Sequence, residues 1–187
     1  MPPQMASHWN SQGEVNGYMS KFWGLFFLPL ISIALFAIFY FIPLMDPKRK
    51  NIEQFRVYFD WFIVLFIFFL TYIHVLSLYW NLGHQFNMTL QIIPGIALLF
   101  YYIGIMLRHT KQNWFIGIRT PWTLNSETIW NKTHAIGGKL FKASAIICLL
   151  GLIFQKYAIF FMLIPVLISA IITILYSFIL YKKQGKK

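Results

Sequence analysis

Charge is what this sequence has least of. Only 11% of its 187 residues are Asp, Glu, Lys or Arg, where a soluble domain carries roughly 25%. So few charges cannot cover a water-exposed surface, which excludes a soluble globular enzyme. Cysteine is nearly absent: Cys148 stands alone in an apolar run, leaving no disulfide framework and no cysteine-based metal site. There are five acids, too few for most acid–base catalysis. Residues 1–20 are polar and lack the basic-then-apolar pattern of a secretory signal. What the chain has instead is 58% hydrophobic and 20% aromatic residues. That excludes a disordered chain and indicates an all-α fold, a polytopic transmembrane helical bundle.

Five spans are predicted. Phe22 to Met45 contains no charged residue and is long enough to cross a hydrocarbon core of about 30 Å. Trp61 to Leu107 is also charge-free, too long for one crossing, and broken by the polar run Asn81 to Asn87. It divides into helices near 57–80 and 88–108. Ala135 to Gln155 is a weaker span, because Lys139 and Lys142 must snorkel to an interface. Tyr157 to Tyr181 is uncharged, and the turn before it is very short.

The basic residues set the orientation. In an alternating five-span arrangement, fourteen of the sixteen Lys and Arg fall on one side, leaving only Lys21 and Lys156 on the other. The positive-inside rule places that side in the cytoplasm, the C-terminus inside and the N-terminus outside, in the cell membrane. The expected organisation is an extracytoplasmic segment (1–21), three helices (22–108), a cytosolic loop (109–138), and a C-terminal helical hairpin with a basic tail (139–187). Topology alone accounts for the basic clusters; their functional reading is attraction to anionic lipid head groups or an acidic cytosolic partner.

Two polar segments are candidates for function. In the first, 1–21, Asn16-Gly17 favours a turn with positive φ. Trp9 and Tyr18 suit a membrane interface, and His8 and Glu14 are too few for a metal site. It reads either as an interfacial loop or as a recognition surface. In the second, Thr120-Pro121 favours extended backbone, and Asn125 or Ser126 can cap a helix with Glu127 in its first turn. Glu127, Trp130, Asn131 and His134 then recur on one helical face, and Gly137-Gly138 permits a bend or close packing.

Three readings compete for that face: an amphipathic helix packing the loop onto the bundle, a protein-docking surface anchored by Arg119, Trp122 and Trp130, or a centre built from His109, Glu127 and His134. The last is weakest, because Glu127-x6-His134 matches no ligand spacing and no nucleophile set or phosphate-binding loop accompanies it. His74 and Asp60 are shallow in span two. No row of acids forms a proton relay, and no inverted repeat argues for a transporter.

The run from Asn113 to Gly138 resembles the signature loop of the SdpI family of bacterial membrane proteins. The pattern is met at Asn113, Gly117, Ile118, Arg119, Thr120, Pro121, Trp122, Thr123, Leu124, Trp130, His134, Gly137 and Gly138. Pro3, His8, Trp9, Asn10, Gly13 and Gly17-Tyr18, followed by Lys21, resemble the small domain usually found ahead of the SdpI region.

The resemblance implies immunity against a secreted, membrane-active peptide toxin, and a relay in which a cytosolic autorepressor is held at the membrane. It implies no catalysis, cofactor, metal or direct nucleic-acid contact; the partners are the bilayer, the toxin and the repressor. On it, the repressor-facing residues are Asn113, Gly117, Arg119, Thr120, Pro121, Trp122, Trp130, His134, Gly137 and Gly138, and the recognition residues outside are His8, Trp9, Asn10 and Gly13. The first alternative is a membrane-embedded binding or transport component for a hydrophobic peptide or lipid; a membrane hydrolase is a distant second. Family members usually have six spans, so the expectation is either an in-frame stretch of about 20 apolar residues upstream of Met1 or a five-span form.

Overall fold

Within lipid, a backbone must satisfy its hydrogen bonds internally, and each charge-free run of this chain does so as a helix. The computed structural model describes residues 1–184. A β-hairpin, β1 (Gln4–Trp9) and β2 (Val15–Ser20), leads directly into α1 (Lys21–Met45). Then come a short α2 (Arg49–Glu53), α3 (Arg56–Asn81), α4 (Met88–His109), a one-turn α5 (Pro121–Asn125), α6 (Glu127–Leu149) and α7 (Ala158–Gln184). Among the described residues, five helices are long and apolar enough to cross a membrane. The 25 residues of α1 span about 37 Å at 1.5 Å each.

The helix ends follow from local chemistry. Pro47 forces Asp46 into extended backbone (ψ 125°), which stops α1. Asn87 caps α4, its side chain accepting from Leu90 N–H at 3.1 Å. Thr120 caps α5 with Pro121 at its first position, and Ser126 caps α6.

Four spans lie close to their expected limits. The fourth does not: the helix expected to be capped at Ser126 and the span expected from Ala135 are one continuous helix, α6, which begins at Glu127, eight residues earlier. Its first three turns carry Trp130, Thr133, His134, Gly137 and Gly138 on a buried face. That face is covered by protein rather than lipid, so hydropathy does not register it. Of the two roles open to Gly137-Gly138 the structure shows close packing: α6 runs through them unbroken, and Gly138 lies against Gly104 of α4.

The hairpin also differs from expectation. Asn16-Gly17 lies within β2 and makes no turn. The turn is at Asn10–Glu14, where the Asn10 side chain accepts from Gln12 N–H (2.9 Å) and Glu14 N–H (3.0 Å). Gly13 there adopts φ 82°.

The helices pack through small and hydroxyl-bearing residues, because lipid supplies no hydrophobic drive between them. Ser169, Thr173 and Ser177 form a buried stripe along α7 at four-residue spacing. Ser144 of α6 hydrogen-bonds Ser169 at 2.9 Å. An apolar cluster of Ile52, Phe55, Phe59, Ile63 and Met106 takes in Ile116 from the segment between α4 and α5. Only Pro43 of α1 is buried, so most of that helix faces outward from the bundle.

The bundle therefore has two differentiated ends. The hairpin sits where α1 and α4 begin and α3 ends. The 110–126 segment sits where α1 and α4 end, α6 begins and α7 ends. Lys186 and Lys187, assigned to the basic tail, lie outside the described residues.

Candidate functional site

The segment following α4 is tied to four helices by side-chain hydrogen bonds. Asn113, 0% exposed, organises its first turn. Its Oδ1 accepts from Phe115 N–H (2.9 Å) and Ile116 N–H (2.6 Å), and its Nδ2 donates to the carbonyls of Lys111 (2.8 Å) and Ile116 (2.9 Å). The Asn113 amide is thus fully used within the loop.

Gln112 performs a similar task between elements. Its Nε2 donates to the carbonyls of Thr123 (2.8 Å) and Leu124 (2.9 Å). Its Oε1 accepts from Lys48 Nζ, and its carbonyl accepts from Asn51 Nδ2 at 2.7 Å.

His134 and Trp130 attach the loop to α6. Ile118 N–H donates to His134 Nε2 at 2.9 Å, and His134 Nδ1 lies 2.8 Å from the Trp130 carbonyl. Nε2 must therefore accept and Nδ1 donate, which assigns the neutral Nδ1–H tautomer from the network. The two rings stack at 4.0 Å, and Trp130 Nε1–H donates to the Thr110 carbonyl at 2.9 Å. Gly117 passes directly over this pair with φ 116°. A Cβ there would meet His134 Nε2 at 2.5 Å, so both shape and backbone demand glycine.

Thr120 and Thr123 exchange side-chain-to-backbone bonds as a capping box. Thr120 Oγ1 also lies 3.1 Å from Ser177 Oγ, joining the loop to α7. Trp122 packs against Phe178 with ring centroids 5.1 Å apart. Gly137 lies against Ile118, and Gly138 against the Gly104 carbonyl of α4.

Asp46 was not singled out from sequence. It is 4% exposed, and its carboxylate accepts from Trp114 N–H (2.8 Å) and Lys48 N–H (2.7 Å). Among the described residues it forms no ion pair, so backbone donors alone hold this carboxylate. The one available signal was an acid placed between an apolar run and a basic cluster.

The structure separates the expected loop residues into two sets. Asn113, Thr120, Trp130, His134, Gly137 and Gly138 are buried and build the loop's own fold. Arg119 and Pro121 are exposed, beside Trp114 (48% exposed) and Phe115. Arg119 Nη1 donates to the Trp114 carbonyl at 2.7 Å, closing the tip. Trp130, considered as a docking anchor, is 0% exposed and unavailable for contact.

His109, Glu127 and His134 do not form a centre. His109 stacks on Tyr58 at 3.8 Å, Glu127 is exposed, and both nitrogens of His134 are engaged. Among the described residues, no three of His, Cys, Asp and Glu are placed to hold a metal ion.

At the opposite end, the hairpin is docked by asparagines. Asn81 pairs with Ala6 as a strand would: Ala6 N–H donates to Oδ1 (2.8 Å), and Nδ2 donates to the Ala6 carbonyl (3.0 Å). Asn87 Nδ2 donates to the Gln12 carbonyl at 2.7 Å, over the buried Gly13. Trp9 packs edge-on against Trp80 at 5.8 Å. His8 Nδ1 meets Asn16 Oδ1 on the exposed side. The polar break between α3 and α4 therefore holds the hairpin as well as turning the chain.

Residues 109–177, the segment from the loop through most of α7, match the SdpI/YfhL protein family. Residues 1–33, the hairpin and the start of α1, match a domain of unknown function, DUF1648. Over the first of those segments the chain resembles the SdpI family. It is 28% identical over 184 residues to Immunity protein SdpI of Bacillus subtilis (strain 168), covering 98% of this chain and 86% of that one. No solved structure matches it. In this protein the loop at the start of the matched segment is the piece that joins α1, α4, α6 and α7 at one end of a multi-pass membrane bundle.

Proposed function

We propose that this protein gives its cell immunity against a secreted, membrane-active peptide and catalyses no reaction. The observation that carries this reading is the 28% identity to an immunity protein over nearly the whole chain. The acids support the absence of catalysis, since four of the five have a local structural partner. Glu14 accepts from Asn10, Asp46 from backbone N–H groups, Glu53 pairs with Arg49, and Asp60 pairs with Arg56. Glu127 sits in the first turn of α6, where a helix favours negative charge.

The hairpin end faces outside and the loop end the cytoplasm, as the distribution of Lys and Arg favours. On this orientation the hairpin is the first part that an arriving peptide meets. The exposed tip of Trp114, Phe115, Arg119 and Pro121 is the surface open to a cytosolic repressor, with an aromatic–arginine composition suited to an interface.

Expression in a toxin-sensitive host tests the immunity reading, with survival as the readout; equal killing with and without the protein refutes it. A charge-reversing Arg119→Glu should leave survival intact and weaken repressor recruitment to membranes. Unchanged recruitment removes the tip from the relay.

A further inference from the structure

Two basic side chains lie across the contact between Gly104 of α4 and Gly138 of α6. A Cβ on Gly138 would meet Arg108 Cγ at 2.6 Å, and one on Gly104 would meet Lys142 Cγ at 2.7 Å. Both stems are therefore seated in the same groove between the two helices. Arg108 is exposed and Lys142 half-buried. The Lys142 ammonium lies over the Tyr101 ring, 5.4 Å from its centroid. Tyr101 is 43% exposed and stands about 12 Å along α4 from its end at His109, at 1.5 Å per residue. The ammonium is thus held beside the interior of the span and not at its end. A lysine at that depth is costly without a counter-charge, and the ring beneath it offsets only part of the cost. Among the described residues neither Arg108 nor Lys142 forms an ion pair with a carboxylate. The nearby acids at the loop end are engaged elsewhere: Asp46 by backbone N–H groups, Glu53 by Arg49 and Asp60 by Arg56.

We propose that this groove binds one anionic phospholipid from the leaflet at the loop end, with its phosphate between Arg108 and Lys142. An acyl chain then runs along Leu98 of α4 and Ile146 of α6. These two exposed side chains continue the faces of Tyr101 and Lys142 one turn toward the hairpin end. Basic groups above an apolar track match the order of head group and tail in a phospholipid. Two unneutralised cations ask for an anion, and a phosphate can take the arginine fork on two oxygens. A zwitterionic lipid brings its own cation to the same place, so the site should prefer phosphatidylglycerol to phosphatidylcholine. Free phosphate and a water-soluble acidic peptide are disfavoured by the depth of the ammonium and by the apolar track. The inference rests on the membrane-spanning helices and not on the immunity reading.

The test is native mass spectrometry of the full chain released from maltoside detergent, with dioleoylphosphatidylglycerol or dioleoylphosphatidylcholine added as probe. One phosphatidylglycerol should be retained in preference to phosphatidylcholine. Arg108→Gln and Lys142→Gln keep the Cγ that packs on the opposite glycine and lose the charge. Each should weaken phosphatidylglycerol binding about fivefold, and Lys142→Arg should restore it. Lys183→Gln removes a charge from a different cleft, between α6 and α7, and should leave the preference unchanged.

Equal retention of the two lipids overturns the proposal. So does a loss in Lys183→Gln as large as that in Lys142→Gln, which would show attraction to overall charge and not to a site. Displacement of the bound lipid by inorganic phosphate would show an anion site that needs no lipid. A variant that fails to fold is recognised by loss of its helical circular dichroism; the Lys142→Arg protein, which keeps the charge, then decides by whether its preference for phosphatidylglycerol persists.

Discussion

Gly104 of α4 and Gly138 of α6 face each other so closely that a Cβ on either would lie 2.7 Å from the other's carbonyl oxygen. The helices can meet at this distance only because both positions lack a side chain. Arg108 and Lys142 lie across the same two glycines, their stems packed on the contact. Gly138→Val should therefore force α4 and α6 apart. Overpacking of this kind costs about 1–3 kcal/mol, and the loss should appear as a lower unfolding temperature in detergent. If both positions act on one contact, Val at both should cost less than the sum of the single losses, because the first already parts the helices; strictly additive losses would show the two positions to be independent.

His134 is the next expectation. Its Nε2 is the acceptor for Ile118 N–H, and its ring is stacked on Trp130. His134→Phe keeps a ring for stacking but leaves a buried N–H unpaired, which costs about 1–3 kcal/mol. The 110–124 segment should become more sensitive to protease while the five spans remain intact. Equal cleavage in wild type and variant would show that the ring, and not its nitrogen, holds the loop.

Asp46 should behave as a clamp between α1 and the loop. Asp46→Ala leaves Trp114 N–H and Lys48 N–H without their acceptors. Asp46→Asn retains one carbonyl oxygen and presents an NH2 to the other donor. The expected order of amide-exchange protection at Trp114 is wild type, then Asn, then Ala. Indistinguishable Asn and Ala variants would mean that the carboxylate charge, rather than the count of acceptors, does the holding.

How far the sequence could be read depends on what each residue is buried against. A helix buried in lipid must be apolar along its length, so α1, α3, α4 and α7 show in hydropathy alone. The start of α6 is buried against protein, where Trp130 and His134 are satisfied by Thr110 and Ile118. No periodicity predicts those partners; the cap at Ser126 and the shared face of Trp130 and His134 are legible, but not that this helix runs on unbroken into the fourth span. The signature motif was visible, but the motif does not say that most of its members face inward. In the hairpin, Asn10 and Gly13 made the turn where Asn16-Gly17 was expected. The deciding contact is Asn87 on the Gln12 carbonyl, made across 75 positions of sequence. Asp46 follows a charge-free span, and nothing in its local sequence points to Trp114 N–H, 68 positions on, as the donor its carboxylate holds.

Asn81 provides the last expectation. Its amide offers both a donor and an acceptor to Ala6, and so replaces a third strand beside β1. A two-stranded hairpin is marginally stable alone, so the hairpin should depend on this pairing. Asn81→Leu keeps the side chain's approximate size while removing both hydrogen bonds. Each neutral bond contributes about 1 kcal/mol, which corresponds to roughly tenfold to a hundredfold faster amide exchange through local opening at Ala6. Asn81→Asp keeps the acceptor for Ala6 N–H and sets an oxygen against the Ala6 carbonyl, so its exchange should fall no slower than wild type. If Asn81→Leu exchanges at the wild-type rate, Trp9 on Trp80 and Asn87 on Gln12 hold the hairpin without it. Asn87→Ala in the Asn81→Leu background then becomes the variant that releases it.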